Sequence, residues 1–569
     1  MHHVHVFLLV AGAVLVAAGC RRRGWSAPLV VVATGIVVSL VPGVPRFDVD
    51  PEVLLEFVLP PLLYSAALSS SYRDFRSALN SITRLGVGLV LVSALAVALV
   101  FWWLEAVPFA VALVLGAVVA PPDAVAAAAV GRRLGLPRRV MTLLSGESLI
   151  NDATSLTLYK VALTGAATGA WALGSGLGTF GLAVVVGVGG GLALGWAVHV
   201  LRLRLDDPVV ASAVGFLTPF AAYWSAEALG GSGVLAVVAA GLYLGHTSPR
   251  AGYATRLYQE PLWSTADLLL EAFTFALIGV QLPWVVRDVV ESDQGLGHGV
   301  VVSLVVLAVA LLVRPIYVFA TVWFDDLRLP GSHRPARDSL SVRESAVVSW
   351  AGMRGVVTLA AAAAIPATLD GEPFPERATI QLAAYTVAIG TLLLQGLTLP
   401  GVITRLRVGS AQEAADDAAQ EAAVRVATAD AVQAYFESRR PQLVQAMGAQ
   451  QADDAITRLS AGWRARAAAA AVMLDPEHAD DLLPDGVSRQ DASRALGPLD
   501  GASAERLAPG AAGRKIHSVR AGVIAAQREV LMAHRDAGDL DEAVMRRMMR
   551  ELDLEEESMA SSWIARLRD

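Results

Sequence analysis

The chain has 569 residues, 55% hydrophobic and 17% charged, with a mean hydropathy of +0.53; at this length such a composition excludes a large soluble core and indicates a polytopic membrane protein. The net charge of −7 is unevenly placed, with 26 Lys+Arg against 25 Asp+Glu over residues 1–409 and 19 against 27 over residues 410–569. This reads as a near-neutral transmembrane domain over 1–409 and an acidic cytoplasmic tail over 410–569, and the single cysteine, Cys20, excludes an intrachain disulfide.

In chain order, hydropathy predicts about thirteen membrane-spanning helices. They lie near 4–19, 26–42, 51–69, 82–104, 109–130, 140–161, 173–200, 208–229, 233–247, 260–281, 299–323, 344–368 and 378–401. With the N-terminus outside, the cytoplasmic loops hold Arg21–Arg23, Arg73, Arg76, Arg84, Arg132, Arg133, Arg138, Arg139, Arg202, Arg204, Arg250, Arg256, Arg328, Arg334, Arg337, Arg343, Arg405 and Arg407. Only Arg46, Arg287 and Arg377 fall outside, an asymmetry that satisfies the positive-inside rule; the odd span count puts the tail in the cytoplasm. The start of the chain faintly matches a signal peptide, with Ala17-Ala18-Gly19-Cys20 as a lipoprotein-like cleavage site. The charges follow the apolar run instead of preceding it, so the segment is read as a retained helix, and His2, His3 and His5 as solvated terminal residues.

The polar residues inside these spans carry the functional signal, because an ionisable group in hydrocarbon costs several kcal/mol and marks a functional site by default. Asp123 lies in the fifth span within Ala120-Pro121-Pro122-Asp123-Ala124, where two prolines delete backbone donors and predict a broken helix. A half-helix starting there offers a positive dipole end to the carboxylate. In the sixth span, Gly146-Glu147-Ser148-Leu149-Ile150-Asn151-Asp152, helical rise puts Asp152 about 18 Å in from Val140, near the middle of a ~30 Å core. Ser148 and Asp152 share a helix face, with Glu147 and Asn151 on the adjacent one. Together with Asp123 they offer the oxygen ligands a dehydrated alkali cation needs. Lys160 is read as snorkelling at the outer end of the span. Glu271 and Arg314 are two further intramembrane charges, read as structural pairing or cavity lining. Arg354 lies in Gly352-Met353-Arg354-Gly355, whose glycines permit close approach and local unwinding. It is expected to pair with Glu147, leaving Asp152 free to titrate; pairing with Asp152 is the alternative, and it would spoil proton exchange.

On these segments, residues 5–409 resemble the monovalent cation:proton antiporters of the sodium/proton exchanger superfamily, in the bacterial branch of the electroneutral type. The resemblance rests on Leu59-Pro60-Pro61-Leu62-Leu63, Pro122-Asp123-Ala124-Val125-Ala126, Gly146–Asp152, Ser232–Leu242 and Met353-Arg354-Gly355-Val356-Val357. It implies an all-α fold with inverted repeats, two crossed broken helices (at Pro121, Pro122 and at Gly352, Gly355), a dimerisation part and hence a homodimer. Asp152 matches the ion-carrying aspartate, Asn151 its neighbour, Asp123 the aspartate of the helix break, Ser148 a cation-ligating serine, and Glu147 and Arg354 a structural ion pair. The Asn-Asp order is typical of one-for-one exchangers. Two departures bear on ion selectivity: the break lacks the family's threonine and has its proline on the other side of Asp123, and Tyr64-Ser65-Ala66 stands where many relatives carry an acid.

The expected function is therefore exchange of Na⁺ or Li⁺ for H⁺ across a bacterial plasma membrane, cation and proton competing for Asp152 in an alternating-access cycle. K⁺/H⁺ antiport is the alternative, and a cation channel a remote one without a filter loop. No enzyme, cofactor, nucleic-acid partner or metal beyond the transported cation is expected. A Gly-x-Gly-Asp protease signature is absent, and Gly230-Gly231-Ser232-Gly233 is read as a turn. The tail predicts amphipathic helices over Ala411–Arg439, Asp453–Val472 and Ala521–Arg535 and a solvated helix over Asp539–Arg568, with turns around Pro441, Pro476, Pro484 and Pro509. A regulatory or dimer-stabilising domain and a passive extension both fit it.

Overall fold

The computed structural model describes residues 2–25, 27–41, 54–168, 173–292, 294–326, 340–369, 371–409, 411–475 and 511–560. Predicted features at Arg46, Arg328, Arg334, Arg337, Pro476, Pro484 and Pro509 lie outside them. The fold is helical apart from one two-residue hairpin pairing, Thr368–Leu369 with Glu372–Pro373.

The chain divides into two compact units, residues 1–248 with 259–409, and residues 249–258 with 410–569. The first contains α1 (His2–Arg23), α2 (Ala27–Ser39), α3 (Leu59–Ser69) and α4 (Leu79–Leu104). Then come α5 (Phe109–Val119), α6 (Ala124–Leu134), α7 (Arg138–Thr168), α8 (Leu173–Arg202), α9 (Pro208–Ala228) and α10 (Gly233–Thr247). It continues through α11 (Tyr253–Val290, its first residues counted with the second unit), α12 (Gly295–Asp326), α13 (Val342–Trp350), α14 (Val356–Ala363) and α15 (Arg377–Leu406). Over its described residues, each stretch that hydropathy selects falls on a helix or a pair of half-helices. Seven helices among the described residues are long and apolar enough to cross a membrane on those criteria alone. The half-helices α5, α6, α13 and α14 are individually too short, and polar residues such as Glu147, Asp152 and Lys160 interrupt α7.

Small residues set the close helix contacts of this unit, as expected where lipid is as apolar as the side chains and packing drives association. A Cβ on Gly35 of α2 would lie 3.0 Å from the Cα of Gly279 of α11, tighter than ordinary contact. The outward faces carry exposed Trp102, Trp103, Trp196, Trp224 and Trp323 beside exposed leucines and valines, the composition of a lipid-facing surface.

In the second unit lie α16 (Ala411–Met447), α17 (Ala449–Leu474), α18 (Ala511–Ala537) and α19 (Glu542–Ala560). The turn predicted at Pro441 is displaced: α16 runs through it to Met447, and the reversal falls at Gly448, whose φ of +87° only glycine adopts without strain. The last helix is not simply solvated either. It buries Val544, Met545, Met548 and Met549 against Val424 and Leu531, an amphipathic face that overall charge content conceals. On its polar side Asp553 accepts from Arg528 at 2.6 Å and from Arg256.

Candidate ion-binding site

Two interrupted helices form the centre of the first unit. The α5 backbone ends at Val119 because neither Pro121 nor Pro122 can donate, and α6 resumes at Ala124. The second interruption separates α13, ending at Trp350, from α14, starting at Val356, with Gly352 and Gly355 between them. The two breaks are bonded to each other. The Asp123 backbone N–H donates to the Met353 carbonyl at 2.5 Å, and Arg354 donates through Nη1 to the Ala120 carbonyl. A Cβ on Gly355 would overlap the Asp123 carboxylate, so only glycine fits there. The charges complement the half-helix dipoles: a guanidinium at the C-terminal end of α5, a carboxylate at the N-terminal end of α6.

Beside this crossing runs α7. Asp152 is 5% exposed, and among the described residues its carboxylate has no hydrogen-bond or ion-pair partner. It opens on a cavity of about 720 Å³ whose wall also holds Asp123, Ser148, Glu271, Met353 and Gly355, and whose residues extend to Arg21 and Arg133. The structure thus brings Asp152, Asp123 and Ser148 to one space. Asn151 is placed differently: its Nδ2 donates to the Pro122 carbonyl at 2.8 Å, pinning the helix break, and it is not among the cavity-wall residues.

The expected Glu147–Arg354 pair is corrected by the structure. Arg314 of α12 grips Glu147 through both guanidinium nitrogens, Nη2 to Oε2 at 2.7 Å, while its Nε donates to the Val348 carbonyl at 3.0 Å. Glu147 is 1% exposed and Arg314 2%, so the carboxylate takes the cation that offers a planar bidentate fork. Arg354, equally buried, is committed to Ala120, with its own backbone N–H donating to Thr391 Oγ1 at 2.9 Å. Gly352 makes room for the Arg314 side chain, where a Cβ would clash.

Three contacts escaped the sequence reading. Ser65, in the third-span departure, donates to Asp267 Oδ2 of α11 at 2.7 Å, so a carboxylate is delivered to that locality from another helix. Ser155 Oγ donates to the Ala117 carbonyl at 2.9 Å, tying α7 to α5. Lys160 pairs with Glu227 at 2.6 Å instead of snorkelling alone. A serine at hydrogen-bonding distance from a remote helix leaves no trace in local spacing; the one signal available was Asp267, an acid inside a predicted span that the sequence reading passed over.

An unpaired carboxylate in a cavity beside two crossed, interrupted helices defines an ion-translocating membrane transporter, irregular backbone being tolerated at that depth only where it lines a cavity or is bonded within protein. The chain belongs to the sodium/hydrogen exchanger family and is a monovalent cation:proton antiporter: the model for "Sodium/hydrogen exchanger, transmembrane" matches residues 7–405. An uncharacterized Na(+)/H(+) exchanger of Mycobacterium tuberculosis (strain ATCC 25618 / H37Rv) is 32% identical over 559 residues, 97% of this chain and 95% of that protein. The sodium, potassium, lithium and rubidium/H(+) antiporter of Bacillus subtilis (strain 168) is 30% identical over 391 residues, 66% of this chain and 57% of its own length. The fold matches the sodium proton antiporter MjNhaP1 of Methanocaldococcus jannaschii with a TM-score of 0.57 at 20% identity, covering 71% of this chain and 98% of that one.

Proposed function

We propose that the protein exchanges Na⁺ or Li⁺ for H⁺ one for one, cation and proton competing for Asp152 while the crossed-helix core carries that residue between membrane faces. The observation that carries this reading is the Asp152 carboxylate: buried, unpartnered among the described residues, and open to a cavity shared with Ser148 and Asp123. A side chain that binds one ion at a time couples the two fluxes without a second gate. Ser148 and Asp123 supply further oxygens to a cation at Asp152, and Glu147, neutralised by Arg314, takes no part in the exchange. Thirteen crossings, an outside N-terminus, a cytoplasmic tail, a bacterial plasma membrane and a homodimer complete the reading. In that orientation the cavity reaches the cytoplasmic side, since Arg21 and Arg133 lie in the last turns of α1 and α6, the ends assigned inside.

A second reading, K⁺/H⁺ exchange, is favoured by one observation: Bacillus relatives at 30% identity carry names that include potassium and rubidium. Both readings are tested by cation-dependent proton flux in proteoliposomes holding a trapped pH dye. Na⁺ or Li⁺ should dequench the dye with wild type and not with Asp152→Asn. A response to K⁺ alone promotes the second reading, and exchange retained by Asp152→Asn removes that residue from the mechanism.

A further inference from the structure

Resting on the exchange reading above, we propose that Glu271, backed by Asp267 one turn earlier on α11, is an affinity-setting residue that recruits the cation into the cavity leading to Asp152. Glu271 lies in the cavity wall together with Asp152, Asp123 and Ser148. Among the described residues its carboxylate has no hydrogen-bond or ion-pair partner. Asp267 stands at i−4 on the same helix side. Ser65 holds its Oδ2 at 2.7 Å, and its Oδ1 is buried without a hydrogen-bond partner.

The contrast with Glu147 is what separates function from structure. A buried carboxylate is ordinarily paired and hydrogen-bonded, as Glu147 is by Arg314 on both oxygens, whereas Glu271 is half-buried. No arginine does this for Glu271 or Asp267 among the described residues. The same wall carries Arg21 and Arg133, which repel an entering cation. A carboxylate in the same wall as these arginines offsets their potential, and a low-dielectric cleft focuses that field on the ion's path. The ion-liganding work stays with Asp152, whose buried and unpartnered side chain opens into the same space. Glu271 acts before it, so it should govern how much cation is needed and leave the turnover of the loaded carrier alone.

The test is the Na⁺ dependence of exchange by the full-length protein in proteoliposomes, for wild type, Glu271→Gln, Glu271→Asp, Asp267→Asn and Asp152→Asn. Glu271→Gln should raise the KM for Na⁺ three- to tenfold with maximal rate within twofold of wild type, the size expected of one partly screened charge. Glu271→Asp should return KM to within twofold of wild type, and Asp267→Asn should raise it by a smaller factor. An unchanged KM in Glu271→Gln overturns the proposal. So does a fall in maximal rate that Glu271→Asp cannot restore, which marks a structural role. If Glu271→Gln does not reach the membrane, Asp267→Asn decides: a raised KM supports recruitment and an unchanged one overturns it. Asp152→Asn separates the two levels, because exchange surviving there sinks the exchange mechanism itself whatever Glu271 does.

Discussion

Arg314 and Arg354 look alike as residues: both are arginines in apolar spans, both nearly fully buried, and both lie near Glu147. They do different work because guanidinium geometry is specific. Arg314 spends its fork on Glu147, and Arg354 satisfies a carbonyl that the proline break has orphaned. Removing one member of a buried pair leaves an uncompensated charge, at a cost of about 3–5 kcal/mol. Arg314→Ala should therefore lower the thermal unfolding midpoint of the purified full-length protein clearly. The double replacement Glu147→Leu with Arg314→Leu should recover most of that loss, since no lone charge remains. If the double variant melts no higher than Arg314→Ala, the pair is not the reason for the loss. The sequence shows that Glu147 needs a cation, but spacing along the chain does not choose between cations on α12 and beside α14.

At the scale of elements, the site is made by two helices that fail to continue. Pro121-Pro122 predicts the first break without any tertiary information, because missing donors are a covalent fact. The second break is less legible: Gly352 and Gly355 only permit it, and contact with the other break decides it. Gly355→Ala would put a methyl carbon far inside van der Waals contact with Asp123 Oδ2, so the carboxylate or the crossing that holds it must move. That variant should keep its helical content by circular dichroism and lose at least tenfold in exchange rate, since small misplacements of reacting groups are costly. Near-normal exchange would show that the crossing tolerates the shift. Asn151 belongs to this scale too. Sequence order sets it beside Asp152 as a ligand; the fold gives its Nδ2 to the Pro122 carbonyl, while its Oδ1 is buried without a hydrogen-bond partner among the described residues.

For the molecule as a whole, the second unit joins a methionine-rich core to a set of ion pairs. Burial pushes the Glu421 carboxyl up, but hydrogen bonds and charge from Arg425 and Arg547 overrule it and hold it below the usual carboxylate range. A carboxylate depressed in the folded state contributes stability that is fully present above its unfolded value of 4.5 and lost as pH falls through its folded value. Limited proteolysis of the full-length protein should therefore cut within residues 410–569 faster at pH 4 than at pH 7. Glu421→Gln should cut faster than wild type at pH 7, with less change on acidification. A variant whose cleavage follows the wild-type pH profile would exclude Glu421 as the titrating group.

What the sequence determined by itself is what the solvent and covalent structure impose: apolar stretches long enough for a bilayer, a proline-broken helix, and a carboxylate too costly to bury without purpose. Each is a local property, readable wherever the chain finally packs. The tertiary structure decided the pairings: Arg314 with Glu147, Ser65 with Asp267, Asn151 with Pro122, and Glu271 in the wall of the cavity that holds Asp152. Those depend on distances between residues up to 202 positions apart in the chain, and such distances exist only once the helices have packed.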